Sequence, residues 1–244
     1  METLIVIPAR FASSRLPGKP LKKLAGQPMI WHVYQRAREA RVAPRVVVAT
    51  ESEEIRQAVL AFGGECLLTR PDHSTGSDRV AEVAQKIPAD IYLNLQGDEP
   101  LVDPRMLREV LAPFSDPDTP VSTLKSVFPP GEKIENPNLV KVVVDREDWA
   151  LLFSRSPIPH YRNPEPDPVH YLHHGIYAYR REPLLAFGKS SPTPLERAES
   201  LEQLRFLELG FRIKTPTTSH RSIGVDTAED LARAERALSQ TSKI

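Results

Sequence analysis

Three cationic side chains lie close together near the beginning of the sequence, in the stretch IPARFASSRLPGKPL. Arg10, Arg15 and Lys19 follow an apolar run, LIVI, that is typical of a buried strand. Prolines and a glycine in the same stretch disfavour a helix. Guanidinium groups pair with phosphate oxygens bidentately, and a lysine adds a point charge. The stretch therefore predicts a loop that binds a ligand with several negative charges. The alternative is a solvated basic loop.

This loop does not match two common phosphate-binding patterns. A Walker A loop requires G-x-x-x-x-G-K-[ST], whereas Gly18 and Lys19 are followed by Pro20, and Ser13 stands where the first glycine belongs. No G-x-G-x-x-G sequence follows any predicted strand, so we expect no dinucleotide cofactor.

Carboxylates follow two further apolar runs. Asp98 and Glu99 come directly after IYLNL in the stretch NLQGDEP, and Asp226 lies in IGVDT, which we interpret as another strand end. Mg²⁺ in proteins commonly takes one or two carboxylates together with substrate phosphates. Asp98 and Asp226 are therefore candidate ligands of an Mg²⁺ ion that bridges a polyphosphate. Two alternatives stay open, because Gly-Asp is ordinary turn chemistry and Asp226 is equally well placed to cap the last helix.

The elements that would position these side chains alternate between strands and helices. The clearest strands are LIVI (4–7), RVVVAT (45–50) and IYLNL (91–95). Helical patterns separate them, and Ser52 is a candidate N-cap for the second helix. The rhythm predicts an α/β fold with a mostly parallel central sheet and helices on both faces. Ligands bind beyond the carboxyl ends of such strands, so the loops after 7, 50 and 95 are where we expect the site.

The middle of the chain has a different pattern. From about residue 113 to 190, prolines are dense and several short strands follow one another. We interpret this region as a β-rich insertion within a single domain of residues 1–244, with dimer contacts as one plausible use. A helix then begins at Pro194, because Thr193 and Glu196 form the sequence of a capping box.

Composition excludes several classes of protein. The chain has 244 residues, with 32 Lys and Arg against 32 Asp and Glu. This balance disfavours a general nucleic-acid binder, which would carry a basic excess. The single cysteine, Cys66, cannot form an intramolecular disulfide and fits a reducing compartment. The N-terminus lacks the pattern of a signal peptide, and LIVI is too short to insert into a membrane. We expect a cytoplasmic protein.

Six motifs in order carry a resemblance that covers nearly the whole chain: IPARFASSRLPGKPL, TRPDHSTGSDR, NLQGDEP, HHGIYAYR, LEQLR and GVDTAEDL. In them the chain resembles the 3-deoxy-D-manno-octulosonate (Kdo) cytidylyltransferases, enzymes of lipopolysaccharide biosynthesis. The resemblance implies the Rossmann-like nucleotide-diphospho-sugar transferase fold. It implies transfer of CMP from CTP to the anomeric hydroxyl of Kdo, with Mg²⁺ as cofactor and a homodimer as the assembly. Sialic-acid-activating relatives carry a Gly-Gly-Ser-Lys type of loop where this chain has Ala-Ser-Ser-Arg at 12–15.

The resemblance also implies roles for individual residues. The catalytic group is Arg10, Lys19, Asp98 and Asp226, with Asp98 and Asp226 as the metal ligands. The nucleotide-binding group is Ala9, Arg10, Arg15, Lys19, Ser74, Gly76, Arg79 and Gln96, where Gly76 would let the backbone approach the base or ribose. The group that recognises the sugar acid is Gln96, Arg155, His174, Tyr177, Glu202 and Gln203.

Several of these residues have structural alternatives. His174, like its neighbour His173, is equally well explained as an ordinary strand residue. Tyr177 and Tyr179 share one face of a strand and would fit a core, while Glu202 and Gln203 would fit a solvated helix face. We interpret His32 and His73 as structural.

Two other functions also remain open. One is a cytidylyltransferase for a related acid sugar, 8-amino-Kdo or a sialic acid. The other is a nucleotide-binding protein without catalysis. No nucleic acid is expected as a partner under any of these readings.

Overall fold

The computed structural model describes residues 1–12, 16–163, 169–220 and 222–241. The chain divides into two compact units. The first consists of Met1–Arg108 and the C-terminal stretch from His220, and the second consists of Glu109–Ser219. That residues 1–244 form one domain stays a prediction.

The secondary structure alternates as the sequence predicts in the first unit and is richer in strands in the second. In the described residues the strands are β1 (Thr3–Pro8), β2 (Lys23–Leu24), β3 (Gln27–Pro28), β4 (Arg45–Thr50), β5 (Glu65–Leu68), β6 (Ile91–Asn94), β7 (Val121–Val127), β8 (Lys141–Val144), β9 (Ala150–Ser154), β10 (Tyr171–Arg180) and β11 (Ile213–Lys214). The α-helices are α1 (Met29–Ala40), α2 (Glu53–Ala61), α3 (Gly76–Lys86), α4 (Pro104–Leu111), α5 (Arg181–Lys189), α6 (Pro194–Glu199), α7 (Gln203–Glu208) and α8 (Ala228–Thr241).

The first unit is built on a parallel sheet with the strand order β6-β1-β4-β5. The central strand β1 is apolar and buried because it has a neighbour on each side, and Ile5, Val6 and Ile7 are inaccessible to solvent. The predicted α/β arrangement is confirmed, and β4 has the bounds that the sequence predicts.

The helices of this unit begin and pack as their sequences indicate. Ser52 caps α2, since its hydroxyl accepts a hydrogen bond from the Ile55 N–H at 3.2 Å. One face of α1 is buried through Ile30, Val33 and Ala37. No helix in the described ranges has the length and apolarity needed to cross a lipid bilayer.

The second unit is rich in antiparallel strands, as predicted for the middle of the chain. Strand β10 pairs with β7 and with β8, β8 pairs with β9, and β11 runs parallel to β7. Helix α6 follows Thr193, whose N–H donates to the Glu196 carboxylate at 3.1 Å. The helical pattern is then interrupted, because Ser200 adopts a left-handed conformation with φ 51° and separates α6 from α7.

The approach to Asp226 differs from the prediction. We expected a strand end before this residue, but the described residues 222–226 belong to no strand. A backbone hydrogen bond from the Val225 N–H to the Asp98 carbonyl, at 2.9 Å, attaches this segment to the loop after β6. Helix α8 follows and buries Ala234 against Leu24 and Met29. Packing of α8, rather than a strand ladder, thus fixes the position of Asp226.

Candidate active site

A cavity of about 310 Å³ opens at the carboxyl ends of β1 and β6 in the first unit. This is where ligands bind in parallel α/β sheets. The predicted nucleotide and metal residues that the structure describes all line it: Ala9, Arg10, Lys19, Ser74, Gly76, Arg79, Gln96, Asp98 and Asp226. Arg15 lies outside the described residues.

Backbone pairing continues past the ends of β1 and β6 and brings the first of these residues together. The Ala9 N–H donates to the Ala49 carbonyl at 2.9 Å, and the Gly97 N–H donates to the Pro8 carbonyl at 3.3 Å. A Cβ atom on Gly97 would lie 2.9 Å from that same Pro8 oxygen. Gly97 is therefore required for the close approach of two backbones, which carries Asp98 to the cavity beside Arg10.

Lys19 joins the two predicted metal ligands. Its Nζ atom lies 2.6 Å from Oδ2 of Asp98 and 3.0 Å from Oδ1 of Asp226. Burial alone would lower the pKa of Lys19, but the two carboxylates outweigh burial and raise its pKa above the ordinary value. The sequence separations are 79 and 207 residues. One cation thus contacts both carboxylates at once.

Capping does not explain Asp226. The cap of α8 is Thr227, whose hydroxyl accepts from the Asp230 N–H at 3.2 Å while the Asp230 carboxylate accepts from the Thr227 N–H at 3.0 Å. The Asp226 carboxylate instead faces Lys19. Of the two alternatives for Asp226, the structure therefore supports a place in the cavity.

Glu99, the neighbour of Asp98, has a positioning role. Its carboxylate accepts a hydrogen bond from the Ser222 hydroxyl, and Gly224 packs against it. Burial raises the pKa of Glu99 to about 7, and the negative charges of Asp98 and Asp226 act in the same direction. Glu99 thereby attaches the segment before Asp226 to the loop that carries Asp98.

The N-terminus of α3 forms another wall of the cavity. Thr75 and Asp78 cap this helix reciprocally, with the Asp78 N–H donating to the Thr75 hydroxyl at 3.1 Å. Helix N-termini favour anions because their first N–H groups have no partner within the helix. Gly76 was expected to give room to a base or ribose, yet a Cβ there would lie 3.1 Å from the amide atoms of Gln96. In this structure the Gln96 side chain occupies the space beside Gly76.

His73 also lines the cavity, although sequence reasoning treated it as structural. Its Nε2 atom pairs with the Glu82 carboxylate. Burial would raise the pKa of Glu82, but hydrogen bonds from Lys86, His73 and the Arg70 N–H lower it to about 2. An ionised Glu82 therefore holds the His73 ring. In the sequence, His73 directly precedes Ser74, a predicted nucleotide-binding residue, and this position could have indicated that His73 lies at the site.

His32, by contrast, has the structural role that the sequence suggested. Its Nε2 atom lies 2.6 Å from the Leu24 carbonyl oxygen, and the side chain is buried.

In the second unit, Arg155 is committed to backbone carbonyls. Its guanidinium donates to the carbonyl oxygens of Glu199 at 2.7 Å, Pro137 at 2.8 Å and Ser200 at 3.2 Å. These bonds hold the segment between α6 and α7, just before Glu202. Arg155 therefore supports the neighbourhood of two other predicted sugar-acid residues.

The pairing of β10 with β7 has a register shift between the two histidines, His173 and His174, and the tyrosines that follow them. The shift lies between His174 and Tyr177, and the Thr123 hydroxyl donates to the His174 carbonyl at 2.9 Å within it. Such bulges redirect side chains and are frequent next to active sites. His174 pairs with the Ser126 hydroxyl at 2.9 Å, whereas burial lowers the pKa of His173 to about 3.

Tyr177 and Gln203 are more buried than residues at an open site. Burial raises the pKa of Tyr177 well above its ordinary value, and the charge of Glu202 adds to that effect. Tyr177 also stacks with Tyr179, which suits the core role that the sequence left open. Gln203 is 3% exposed, so it does not lie on a solvated helix face. No described group accepts a hydrogen bond from its Nε2 atom.

Comparison with known proteins agrees with this geometry. A family model described as Cytidylyltransferase matches residues 4–214. A relative from Geobacter metallireducens named 3-deoxy-manno-octulosonate cytidylyltransferase is 49% identical, over 98% of this chain and 99% of its own. One of the same name from Escherichia coli is 47% identical, over 98% and 97%.

Solved structures give the same result. A chain described as CMP:2-keto-3-deoxy-manno-octonic acid synthetase complexed with CTP is 46% identical and superposes with a TM-score of 0.94, covering 99% of this chain and 100% of its own. A glucose-1-phosphate thymidylyltransferase from Bacillus anthracis, described as putative, superposes with a TM-score of 0.67 at 16% identity, covering 97% and 94%. The second similarity concerns the fold alone.

Proposed function

Because the chain belongs to the cytidylyltransferase family, we propose that it transfers CMP from CTP to the anomeric hydroxyl of Kdo, giving CMP-Kdo and pyrophosphate for lipopolysaccharide biosynthesis. The observation that carries the proposal is the 46% identity and TM-score of 0.94, over nearly the whole of both chains, to a synthetase described in complex with CTP. The polar cavity of the first unit supports it independently, since its lining suits a nucleoside triphosphate.

The triphosphate would bind to cations from the loop after β1 and to the N-terminus of α3. Arg10 lines the cavity with an exposed side chain, and Lys19 lines it too. Backbone N–H groups at Ser74–Gly76 favour the same negative charge. Arg15 belongs to this group as a proposal from the resemblance.

The donor set in the cavity fits Mg²⁺. Asp98 and Asp226 both contact the Lys19 ammonium, so their oxygens can share one cation. No group of three or more His, Cys, Asp and Glu that could hold a metal occurs in the described parts of the chain. Mg²⁺ needs only one or two carboxylates when phosphates supply further oxygens. Asp98 and Asp226 would hold the ion, which when bound neutralises charge on the reacting phosphate.

The chain itself would contribute mainly position and charge. The anomeric oxygen of the sugar acid forms a bond to the α-phosphorus, the bond to the bridging oxygen of the β-phosphate breaks, and pyrophosphate leaves with that oxygen. The hydroxyl proton passes to water. Arg10 and Lys19 would stabilise the charge that collects on pyrophosphate. Gln96, held between Gly76 and Asn94, would orient a substrate polar group by its amide.

Recognition of the sugar acid is assigned to the second unit. Arg155, His174, Tyr177, Glu202 and Gln203 are the proposed residues. The support is chemical, because the buried Nε2 of Gln203 has no described acceptor and a buried donor without a partner is costly. A carboxylate or hydroxyl of the ligand would supply the missing acceptor.

Assembly and location belong to the same proposal. A homodimer would use the second unit, where Val127 and Leu151 are 62% and 63% exposed. Light scattering on the purified protein would give about twice the chain mass for a dimer. The enzyme is proposed to be cytoplasmic, where CTP is available.

The test is pyrophosphate release with Mg²⁺ and each of CTP, UTP, GTP and ATP, with Kdo, with 8-amino-Kdo, with N-acetylneuraminate or without acid. The proposal predicts release that requires CTP and Kdo together. Release with another acid would retain the chemistry and change the substrate. A folded, Mg²⁺-loaded sample that binds CTP but releases nothing with any pair would instead be a nucleotide-binding protein.

A further inference from the structure

Glu51 lies in the loop after β4 and contacts both the loop after β1 and helix α3, without lining the cavity. It follows β4 directly, and its side chain is 17% exposed. The loop after β4 was expected at the binding edge, but no residue in it was predicted. The inference below rests on the proposed function, since it concerns how the same site is held in shape.

One oxygen of Glu51 fixes the backbone at the start of the cation loop, which we define as residues 10–12 and 16–19. Oε1 accepts a hydrogen bond from the Phe11 N–H at 2.8 Å. The Phe11 carbonyl in turn accepts from the Gly18 N–H at 3.2 Å, and Gly18 is left-handed with φ 65°. Arg10 precedes Phe11 and Lys19 follows Gly18. Oε1 of Glu51 therefore holds the Phe11 backbone, which is next to Arg10 in sequence and pairs with Gly18, the residue before Lys19.

The other oxygen of Glu51 contacts Arg79. Oε2 lies 2.8 Å from Nη2 of this arginine, which is 4% exposed. The Arg79 guanidinium also donates to the Thr69 hydroxyl and to the Arg70 carbonyl, the latter at 3.4 Å. Glu51 thus links the cation loop to α3 and to the loop after β5.

Charge explains why an acid is needed here. Burial lowers the pKa of Arg79, the carboxylates of Glu51 and Glu82 oppose that, and the positive charge of Arg10 lowers it further. Arg10 and Arg79 therefore repel each other at the cavity wall. A buried charge is tolerated only when it is paired, and Glu51 supplies the anion that pairs with Arg79.

We propose that Glu51 is a positioning residue of the nucleotide site, which holds the cation loop against Arg79 so that Arg10 and Lys19 face the triphosphate. The residue does not touch the substrate in this account. It acts through the Phe11 backbone and the Arg79 guanidinium.

The experiment measures CTP binding by calorimetry with Mg²⁺ and without sugar acid, for the wild type, Glu51→Gln and Glu51→Asp. Glutamine retains an acceptor for the Phe11 N–H and removes the charge that pairs with Arg79. Losing one charge-assisted pair predicts a Kd for CTP about tenfold higher. Aspartate retains the charge, and we expect its Kd to lie within about threefold of the wild type.

The matched control is Glu53→Gln, the same change two residues later. Glu53 is 54% exposed and pairs with Arg56 and Gln57 on its own helix. Its Kd for CTP should equal that of the wild type. Thermal unfolding of each variant sets a temperature at which all are folded, so binding is compared among native proteins.

Steady-state kinetics distinguishes a residue that positions the nucleotide site from one that only stabilises the fold. Glu51→Gln should raise the KM for CTP about tenfold while kcat changes by less than about threefold. A CTP affinity equal to or tighter than that of the wild type would overturn the inference, as would a loss confined to kcat. A wild type that binds no CTP would overturn the proposed function instead.

Discussion

The two units differ in how their predicted site residues are paired. In the first unit, Lys19, Asp98 and Asp226 come from three separate loops, and Lys19 pairs with both carboxylates at the wall of a cavity. In the second unit, Arg155 donates to three backbone carbonyls and Tyr177 is packed among rings. The first set lines a cavity, whereas Arg155 and Tyr177 are used by hydrogen bonds and ring contacts within the second unit.

Because of this difference, effects on activity and effects on the free energy of unfolding can be separated at the first set of residues but not at the second. Ion pairs whose carboxylates remain partly open to solvent contribute little to stability, since solvent-screened pairs are typically worth about 0–1 kcal/mol. A donor that joins several backbone carbonyls contributes more, because its loss removes several hydrogen bonds at once. Substitutions of Lys19, Asp98 or Asp226 should therefore change activity more than stability, and substitutions at Arg155 should change stability as well.

The largest effect is expected at Asp98. Asp98→Asn removes a charge that would face both the metal and Lys19, and we expect kcat to fall at least about 100-fold. Pyrophosphate release at saturating CTP and Kdo measures it, and circular dichroism checks that the fold is retained. The matched control is Asp90→Asn, an exposed aspartate directly before β6, whose activity should be unchanged. Full activity of Asp98→Asn would mean that the metal assignment is wrong.

Lys19→Met should have the next largest effect. The change deletes the cation between Asp98 and Asp226 and one proposed donor to the triphosphate, so the KM for CTP should rise between about tenfold and 100-fold. The free energy of unfolding should change much less. An unchanged KM together with a large loss of stability would reverse the assignment and make Lys19 a structural residue.

Arg155→Met tests the second unit. Losing the three donations to Pro137, Glu199 and Ser200 should lower the free energy of unfolding by about 1 kcal/mol, as measured by urea denaturation. The same change at Arg10, whose side chain is exposed, should alter stability by less than about 0.5 kcal/mol while raising the KM for CTP. If both variants kept full stability, the contrast between the units would fail.

The smallest effect is a pH dependence at Glu99. Its pKa of about 7 in the folded protein lies above the ordinary value of 4.5, so the folded state holds a proton that the unfolded state has lost within this window. Stability contributed by protonated Glu99 is present below pH 4.5 and is lost as the pH rises towards 7. Relative to Glu99→Gln, the wild type should lose about 1 kcal/mol over this range, allowing for solvent screening of a half-buried side chain. Parallel pH profiles of the two proteins would contradict the assignment.

Local patterns predicted the elements well. The bounds of β4, the Ser52 cap and the start of α6 all depend on neighbours in sequence, and the structure agrees with each. Strand ends of a parallel sheet meet at one edge, which is why Arg10 and Asp98 could be placed together before any coordinates.

Contacts between distant residues could not be predicted. That the Lys19 ammonium lies between two carboxylates depends on how α8 packs, and a sequence pattern carries no such distance. The close approach of two backbones at Gly97 and the packing of Gln96 against Gly76 likewise depend on contacts that no local pattern carries. Glu51 was not identified because a single acid after a strand has no distinctive spacing.

The cavity of Lys19, Asp98 and Asp226 is proposed to carry out nucleotidyl transfer. The most direct measurement incubates the protein with Mg²⁺, Kdo and CTP labelled with ³²P either at the α-phosphate or at the γ-phosphate, and separates the products. The account predicts that the α-label appears in CMP-Kdo and the γ-label in pyrophosphate. Appearance of the γ-label on the sugar acid, or no transfer of either label by a folded protein that binds CTP, would contradict it.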